Sequence, residues 1–257
     1  MSESMLLNDH RPGVSAFTLK IMAIIFMTID HATHLWYAEI GEPLAVVLRS
    51  SGRLTFPIMV FLIAEGYFHT HNKFKYAGRL FIFAIISMYP FNMMEGKPWN
   101  VLFTLFVGLS LLIIKDECAL YFDTIDERIW LVFFGAVSFV LSVGLHYFDW
   151  GFAGIFAIYV GGQIKDTKLR ALAVPVILFC GYIVGNFVVV GSFPPSFALV
   201  PIDSYSLLFY AGVLVSSIPL LLYNGEKGYS KEPYTKYLFY VYYPLHIFIL
   251  SSIYWMV

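Results

Sequence analysis

The sequence predicts an all-α, polytopic bundle of transmembrane helices, and its composition is the first observation that leads to this fold class. Hydrophobic residues make up 59% of the 257 positions, and charged residues make up only 13%. Soluble domains carry roughly 45–50% apolar and about 25% charged residues. Both fractions are shifted toward what lipid requires, and no second domain or internal repeat is visible. We therefore expect a single transmembrane domain over residues 1–257.

Hydropathy along the chain is the second observation, and it predicts about nine membrane helices, with eight to ten compatible with the pattern. A perpendicular helix needs about 20 residues to cross the bilayer. The fourth and sixth segments are short, so each is either a half-helix or continues into its polar flanks. The first segment is too long for a signal-peptide core, and we expect it to be retained. In order, the segments are 15–37, 49–68, 76–94, 99–114, 129–147, 150–163, 169–190, 204–223 and 236–257.

The distribution of basic residues is the third observation, and it predicts the orientation of the bundle. With the N-terminus in the cytoplasm and alternating loops, all but three of the 16 Lys and Arg residues fall on the cytoplasmic side. The exceptions are Arg49, Arg53 and Lys97. Cytoplasmic loops of membrane proteins carry such an excess. An odd number of crossings preserves the bias, so the C-terminus is expected outside.

The first helix carries the sharpest candidate site. Lys20 and His31 are eleven residues apart, which places both side chains on one helix face and about 16 Å apart along the axis. Lys20 is expected near the cytoplasmic surface and His31 much deeper. Asp30 could fix the tautomer of a basic imidazole. Adjacent positions do not face each other, however, so Asp30 could also serve another partner, or the pair could only hold helices together.

Polar residues of the second and third segments extend this candidate site. Arg53 either snorkels to the interface or acts inside the bundle, and Glu65 lies deeper in the second segment. Lys75 and Arg79, with Lys73, form a basic cluster that suits anionic lipid or the phosphates of a nucleotide.

Four further polar residues have both a functional and a structural interpretation. Asn92 ends the third segment, and Asn100 could simply cap the fourth helix. Asp149 precedes the sixth segment, where an acidic residue is usually solvated. His246 lies in the last helix behind Pro244, which frees backbone groups.

Several function classes are excluded by what the sequence lacks. A formal net charge of −1 argues against nucleic acid as a partner. The two cysteines cannot build a disulfide framework. There is no Gly-rich phosphate loop, no paired-Cys motif and no His-Glu-x-x-His, so we expect neither a metal nor ATP hydrolysis.

Six blocks of the sequence together resemble the TraX family, in the family's order and over nearly the whole chain. The blocks are Lys20–His31, Gly52–Gly66, Arg79–Asn92, Asn100–Leu105, Asp149–Gly151 and Tyr243–His246. The resemblance implies an integral membrane acetyltransferase, since the family's namesake acetylates the N-terminus of conjugative pilin. The family is in turn distantly similar to membrane acyltransferases that modify sugars.

The resemblance also implies roles for three residues and a set of partners. His31 corresponds to the catalytic histidine of the wider acyltransferase group, Lys20 to a basic residue tied to acyl-CoA use, and Arg79 more loosely to a basic residue of the third helix. The implied donor is acetyl-CoA, and the implied acceptor is a protein N-terminus, a glycan or a lipid. The implied location is the bacterial cytoplasmic membrane, among its lipids.

Two other function classes fit the same residues. Intramembrane Asp, Glu and His residues also mark the proton relays of ion-coupled transporters, although such folds often show inverted repeats. A non-catalytic membrane scaffold is the other alternative, and it would tolerate apolar residues in place of Asp30 and His31.

Overall fold

The computed structural model describes residues 12–122, 124–144, 149–187, 204–231 and 233–256, and this part of the chain is almost entirely α-helical. Its one β feature is an isolated bridge between Val14 and Tyr223. The helices are α1 (Ala16–Leu35), α2 (Tyr37–Ile40), α3 (Leu44–Gly52), α4 (Thr55–His69), α5 (Lys73–Ile86), α6 (Met88–Glu95), α7 (Val101–Tyr121), α8 (Glu127–Gly144), α9 (Gly151–Gly161), α10 (Thr167–Phe187), α11 (Ser204–Val215), α12 (Ser217–Leu221) and α13 (Pro233–Met256).

Each of the nine predicted segments coincides with a helix or with a pair of helices. The short fourth segment continues through its polar flank into the 21 residues of α7, whereas the sixth is the 11-residue α9. The third and eighth segments are each broken in two, after Ile86 and after Val215. Residues 145–147, 188–190 and 257 of the predicted segments, and the N-terminal residues 1–11, lie outside the described residues.

In the part of the chain that the structure describes, fewer than nine helices are long and apolar enough to cross a membrane. Among the described residues three pass this test, namely Ala16–Leu35, Leu44–His69 and Tyr237–Met256. The pair α5 and α6 is bent by 50° and would make a fourth if it counts as one broken span. The helical fold class is therefore confirmed, while the number nine and the orientation stay predictions.

Asparagine and serine caps determine where three of the helices begin. Ser15 Oγ accepts a hydrogen bond from the Thr18 N–H at 3.2 Å and caps α1. Asn72 Oδ1 accepts from the Lys75 N–H at 2.7 Å and caps α5. Asn100 Oδ1 accepts from the Leu102 N–H at 3.1 Å and caps α7. Each cap satisfies a backbone donor that has no partner within the helix.

Helices α3 and α4 pack antiparallel to α1. Gly52 of α3 lies against Asp30, and Thr55 of α4 donates a hydrogen bond to the Ala23 carbonyl at 3.2 Å. A Cβ atom at Gly52 would come within 2.2 Å of the Asp30 Cβ. Only glycine permits this approach, because real Cβ contacts are never so short.

Helix α13 packs on α1 in the parallel direction, so that pairs of contacting residues advance together along both helices. Phe17 meets Phe239 with 6.0 Å between ring centroids, and Trp36 meets Tyr254 with 5.6 Å. Helix α1 is thus held between α3–α4 and α13.

A short backbone clip joins the start of α1 to the segment after α12. The Val14 N–H donates to the Leu222 carbonyl at 2.8 Å, and the Ala16 N–H donates to the Glu226 carbonyl at 2.8 Å. This clip holds Lys227 close enough to Lys20 for their charges to interact.

The core of the bundle lies between α4, α7 and α9, and large apolar side chains also cover the outside. Val60, Leu105 and Ile155 are fully buried, whereas Ile82 and Val132 are exposed. An apolar exterior of this kind suits lipid, which does not penalise apolar surface as water does.

Candidate functional site

A cavity of about 560 Å³ runs along one face of α1. Its lining takes residues of α1 at spacings of three and four, beginning with Ala16 and Lys20 and ending with His31. A helix rises about 1.5 Å per residue, so the face from Ala16 to His31 is about 22 Å long. The other walls come from α3, α4, α5, α6, α7 and α13, and from residues 149–150 and 223–227. Lys20 and His31 therefore open into one space, as their spacing predicts.

His31 is hydrogen-bonded across helices to His246 of α13. Nδ1 of His31 lies 2.9 Å from Nε2 of His246, and Nδ1 of His246 lies 2.9 Å from the Tyr242 carbonyl oxygen. A carbonyl only accepts, so Nδ1 of His246 carries a proton, and in the neutral ring Nε2 is the acceptor. The bond therefore runs from the His31 Nδ1–H to His246. It leaves Nε2 of His31 with its lone pair.

Asp30 does not supply the partner of His31, because its carboxylate is committed to two arginines. It accepts a hydrogen bond from Arg49 Nε at 3.0 Å and another from Arg53 Nη2. Asp30 is only 6% exposed, and a buried carboxylate with two guanidinium partners is well compensated. The alternative in which Asp30 serves another partner is the one that the structure shows.

The arginine network continues to the far end of the cavity through His34. Arg49 Nη1 donates to His34 Nδ1 at 2.8 Å, and His34 Nε2 lies 3.2 Å from Glu95 Oε1. Arginine can only donate, so Nδ1 of His34 accepts and Nε2 carries the proton that bonds Glu95. The network fixes α1, α3 and α6 around the deep half of the cavity.

Basic side chains surround the other end of the cavity, near the start of α1. Lys20 Nζ lies 5.1 Å from the centroid of the Phe239 ring, and Lys227 lines the same space. Arg79 of α5 also lines it, with its guanidinium 5.5 Å from the Tyr76 ring centroid. Like charges repel, so this arrangement suits an anionic ligand.

Glu65 lines the cavity but is already paired within the protein. Its carboxylate contacts Arg170, a side chain that is only 1% exposed, and accepts a hydrogen bond from Tyr223 Oη at 3.3 Å. Arg170 also donates to the Ile164 carbonyl at 2.9 Å. These contacts tie α4 to α10 and to the segment after α12.

At the far end, Asp149 and Trp150 form part of the wall directly before α9. The Trp150 ring stacks on Phe56 with centroids 4.4 Å apart, and the Arg53 guanidinium lies 5.6 Å from its centroid. Burial raises the pKa of Asp149 above its ordinary value, although Arg53 and Lys97 act in the opposite direction.

The structure brings seven of the eleven sequence-predicted residues together around the cavity and places four outside its lining. Lys75 and Asn92 are exposed, and Asn100 is buried, with both ends of its amide on the backbone. His246 contacts the site through His31. The seven lining residues are Lys20, Asp30, His31, Arg53, Glu65, Arg79 and Asp149.

The contributors to the cavity that were not among those predictions include Arg49, Glu95, Trp150 and Lys227. Arg49 lies four positions before Arg53, so helical spacing was a signal for it. Trp150 directly follows the predicted Asp149, whereas Glu95 and Lys227 reach the cavity through tertiary packing. In the described part of the chain, no three His, Cys, Asp or Glu side chains gather as a metal ion would require.

Comparisons with known proteins give one family and one curated relative. The family model described as "TraX protein" matches residues 15–254. A protein of Dichelobacter nodosus, "Probable fimbrial assembly protein FimC, serogroup H1", is 31% identical over 255 residues, covering 93% of this chain and 95% of the relative. No solved structure matches the chain.

Proposed function

Because the chain belongs to the TraX family, we propose that it is an integral membrane acetyltransferase. In this proposal it uses cytoplasmic acetyl-CoA to acetylate an amine or hydroxyl of an acceptor at or across the bacterial cytoplasmic membrane. The acceptor class best supported is a pilin N-terminus, because the family's namesake modifies one and the relative is named for fimbrial assembly.

The observation that carries the proposal is the elongated cavity with cations at one end and an imidazole deep inside. Acetyl-CoA combines anionic phosphates with a long, thin pantetheine arm that ends in the thioester. Lys20, Lys227 and Arg79 would hold the phosphates, and the cavity would lead the arm along α1. The axial distance of about 16 Å between Lys20 and His31 suits such a donor better than a compact one.

His31 would act as the general base through Nε2. Its lone pair accepts the proton of the acceptor while the acceptor attacks the thioester carbonyl, and the same proton then passes to the departing thiolate. A positioned base of this kind contributes roughly 10²–10⁴-fold to the rate. Arg53 also lines the cavity, and its guanidinium would stabilise the negative charge that develops on the thioester oxygen.

The parallel course of α1 and α13 supports the proposed topology. Two parallel spanning helices require an odd number of crossings between the first and the last, and hence an odd total. The excess of basic residues then favours a cytoplasmic N-terminus, and Lys20 and Lys227 would then lie on the side where acetyl-CoA is made.

The test compares His31→Ala and Lys20→Ala with wild type, each expressed in cells from which the native gene has been deleted, and uses membranes prepared from those cells. Acetylated products are measured by mass spectrometry after acetyl-CoA is added. We expect His31→Ala to lose at least 100-fold of the turnover. Lys20→Ala should raise the KM for acetyl-CoA by about 3- to 10-fold, the effect of one lost ionic contact.

His71→Ala is the matched control, because His71 is exposed and lies outside the cavity lining. It should retain wild-type turnover. Wild-type turnover in His31→Ala would end the proposal, and an unchanged KM in Lys20→Ala would remove Lys20 from the donor site.

A further inference from the structure

Asp149 is an acidic side chain of the cavity wall that the proposed mechanism leaves unused. It is half-buried and lies directly before α9, at the end of the cavity away from Lys20, where desolvation raises its pKa. Buried carboxylates are normally compensated by a cation or by hydrogen-bond donors. Asp30 and Glu65 in the same cavity follow this rule, since each is paired with arginine.

The Asp149 carboxylate has no such compensation in the part of the chain that the structure describes. Among the described residues no side chain or backbone donor bonds it and no cation lies within ion-pair distance. The Thr104 hydroxyl donates to the backbone carbonyl of Asp149, which is a different group. Arg53 and Lys97 are near enough to act on its pKa, but Arg53 contacts Asp30 instead.

The chain directly after Asp149 is closely packed against α4 and α7. Trp150 adopts a left-handed conformation with φ of 64°, which is unfavourable for a residue with a side chain. Its ring is fixed on Phe56. A Cβ at Gly154 would come within 2.8 Å of the Phe56 ring and 2.7 Å of Thr104.

We propose that Asp149 binds the acceptor, and that it does so by pairing with a primary ammonium group. The inference rests on the proposed acetyl transfer and assigns the acceptor end of the same cavity. A buried anion is compensated best by a cation, which a hydroxyl acceptor does not provide.

This assignment completes the proton balance for an amine acceptor. An ammonium must lose one proton before it can attack, and Asp149 takes that proton. The C–N bond then forms and the C–S bond breaks, and the second N–H proton passes through His31 to the thiolate. The products are the amide, the CoA thiol and one proton on Asp149, which is released to water. A hydroxyl acceptor would need only His31.

The decisive variant is Asp149→Asn, which keeps the shape and removes the charge. We expect its Tm without ligand to rise by several degrees, because a partly desolvated charge that has no partner among the described residues is removed. Acetyl-CoA should raise its Tm as much as it does for wild type. Its acetylation turnover should fall at least 100-fold. Stabilisation by n-butylammonium, seen in wild type and compared with 1-butanol at the same concentration, should disappear.

Glu39→Gln is the matched control, since Glu39 is an exposed acid outside the cavity. It should change none of these measurements. A lower Tm in Asp149→Asn would show a structural carboxylate and overturn the inference. Equal stabilisation of wild type by 1-butanol, or n-butylammonium stabilisation that persists in Asp149→Asn, would also overturn it. The acetyl-CoA arm reports on the proposed function separately, because it does not involve Asp149.

Discussion

At the scale of single residues, the direction of the hydrogen bonds around His31 decides which of its nitrogens can accept a proton. The bond to His246 takes up Nδ1 and leaves Nε2 available. His246 is 5% exposed and is itself oriented by the Tyr242 carbonyl. It is therefore a positioning residue, which acts on the chemistry through His31.

Replacing His246 should separate this positioning role from simple packing. In His246→Phe the His31 Nδ1–H loses its acceptor, and the ring can rotate or change tautomer. We expect a roughly 10- to 100-fold lower kcat, which is part of the contribution of a general base, with the KM for acetyl-CoA unchanged. His246→Gln places an amide oxygen where Nε2 was and should restore part of the loss.

The test compares the kcat and the KM of His246→Phe with those of His246→Gln in the membrane assay above. Equal activity of His246→Phe and His246→Gln would contradict a hydrogen-bonding role. A Tm measured for both variants shows whether the fold has survived.

Residue chemistry within one helix could be predicted from the sequence, whereas chemistry between helices could not. Lys20 and His31 share a face because helical periodicity alone determines it. The partner of His31 is 215 positions away, and neither spacing nor composition indicates it. The adjacent Asp30 cannot be that partner, because residues one apart on a helix do not face each other.

At the scale of elements, the contact between α1 and α3 depends on a glycine. Gly52→Ala would place a Cβ within 2.2 Å of the Asp30 Cβ and push the two helices apart. Forced packing of this kind costs about 1–3 kcal/mol, and here it also disturbs the ion pairs of Asp30. We expect Gly52→Ala to lower the Tm and the acetylation rate together.

Gly78→Ala provides the control from another helix. Nothing lies within 4 Å of a Cβ at Gly78, so alanine should stabilise α5 by about 0.5–1 kcal/mol through its helix propensity. Thermal unfolding in detergent measures both variants. A Gly52→Ala protein as stable as Gly78→Ala would show that the close approach of α1 and α3 is not needed.

Hydropathy located all nine helical segments but not the breaks within them. The third segment bends by 50° after Ile86, where Ser87 donates its hydroxyl to the Phe83 carbonyl at 2.6 Å. A serine that competes for helix carbonyls often bends a helix. Whether Ser87 bends the helix depends on how α5 and α6 pack against α7 and α13, and average hydropathy contains no information on packing.

At the scale of the whole molecule, the parallel packing of α1 and α13 predicts that the two ends of the chain lie on opposite sides of the membrane. The packing is seen along both helices, from Phe17 and Phe239 to Trp36 and Tyr254. Trp255 Nε1 also donates to the Met93 carbonyl at 3.3 Å, so the end of α13 reaches the end of α6.

Reporter fusions test this topology without any knowledge of the acceptor. We expect alkaline phosphatase fused after Val257 to be active, because it folds only outside the cytoplasm, and a green fluorescent protein at the same place to be dark. The same reporters placed after Asn224, beside Lys227, should give the opposite result. Fluorescence at both positions would mean an even number of crossings. That result would contradict the proposal that acetyl-CoA enters the cavity at the Lys20 end while the acceptor enters from the opposite side of the membrane.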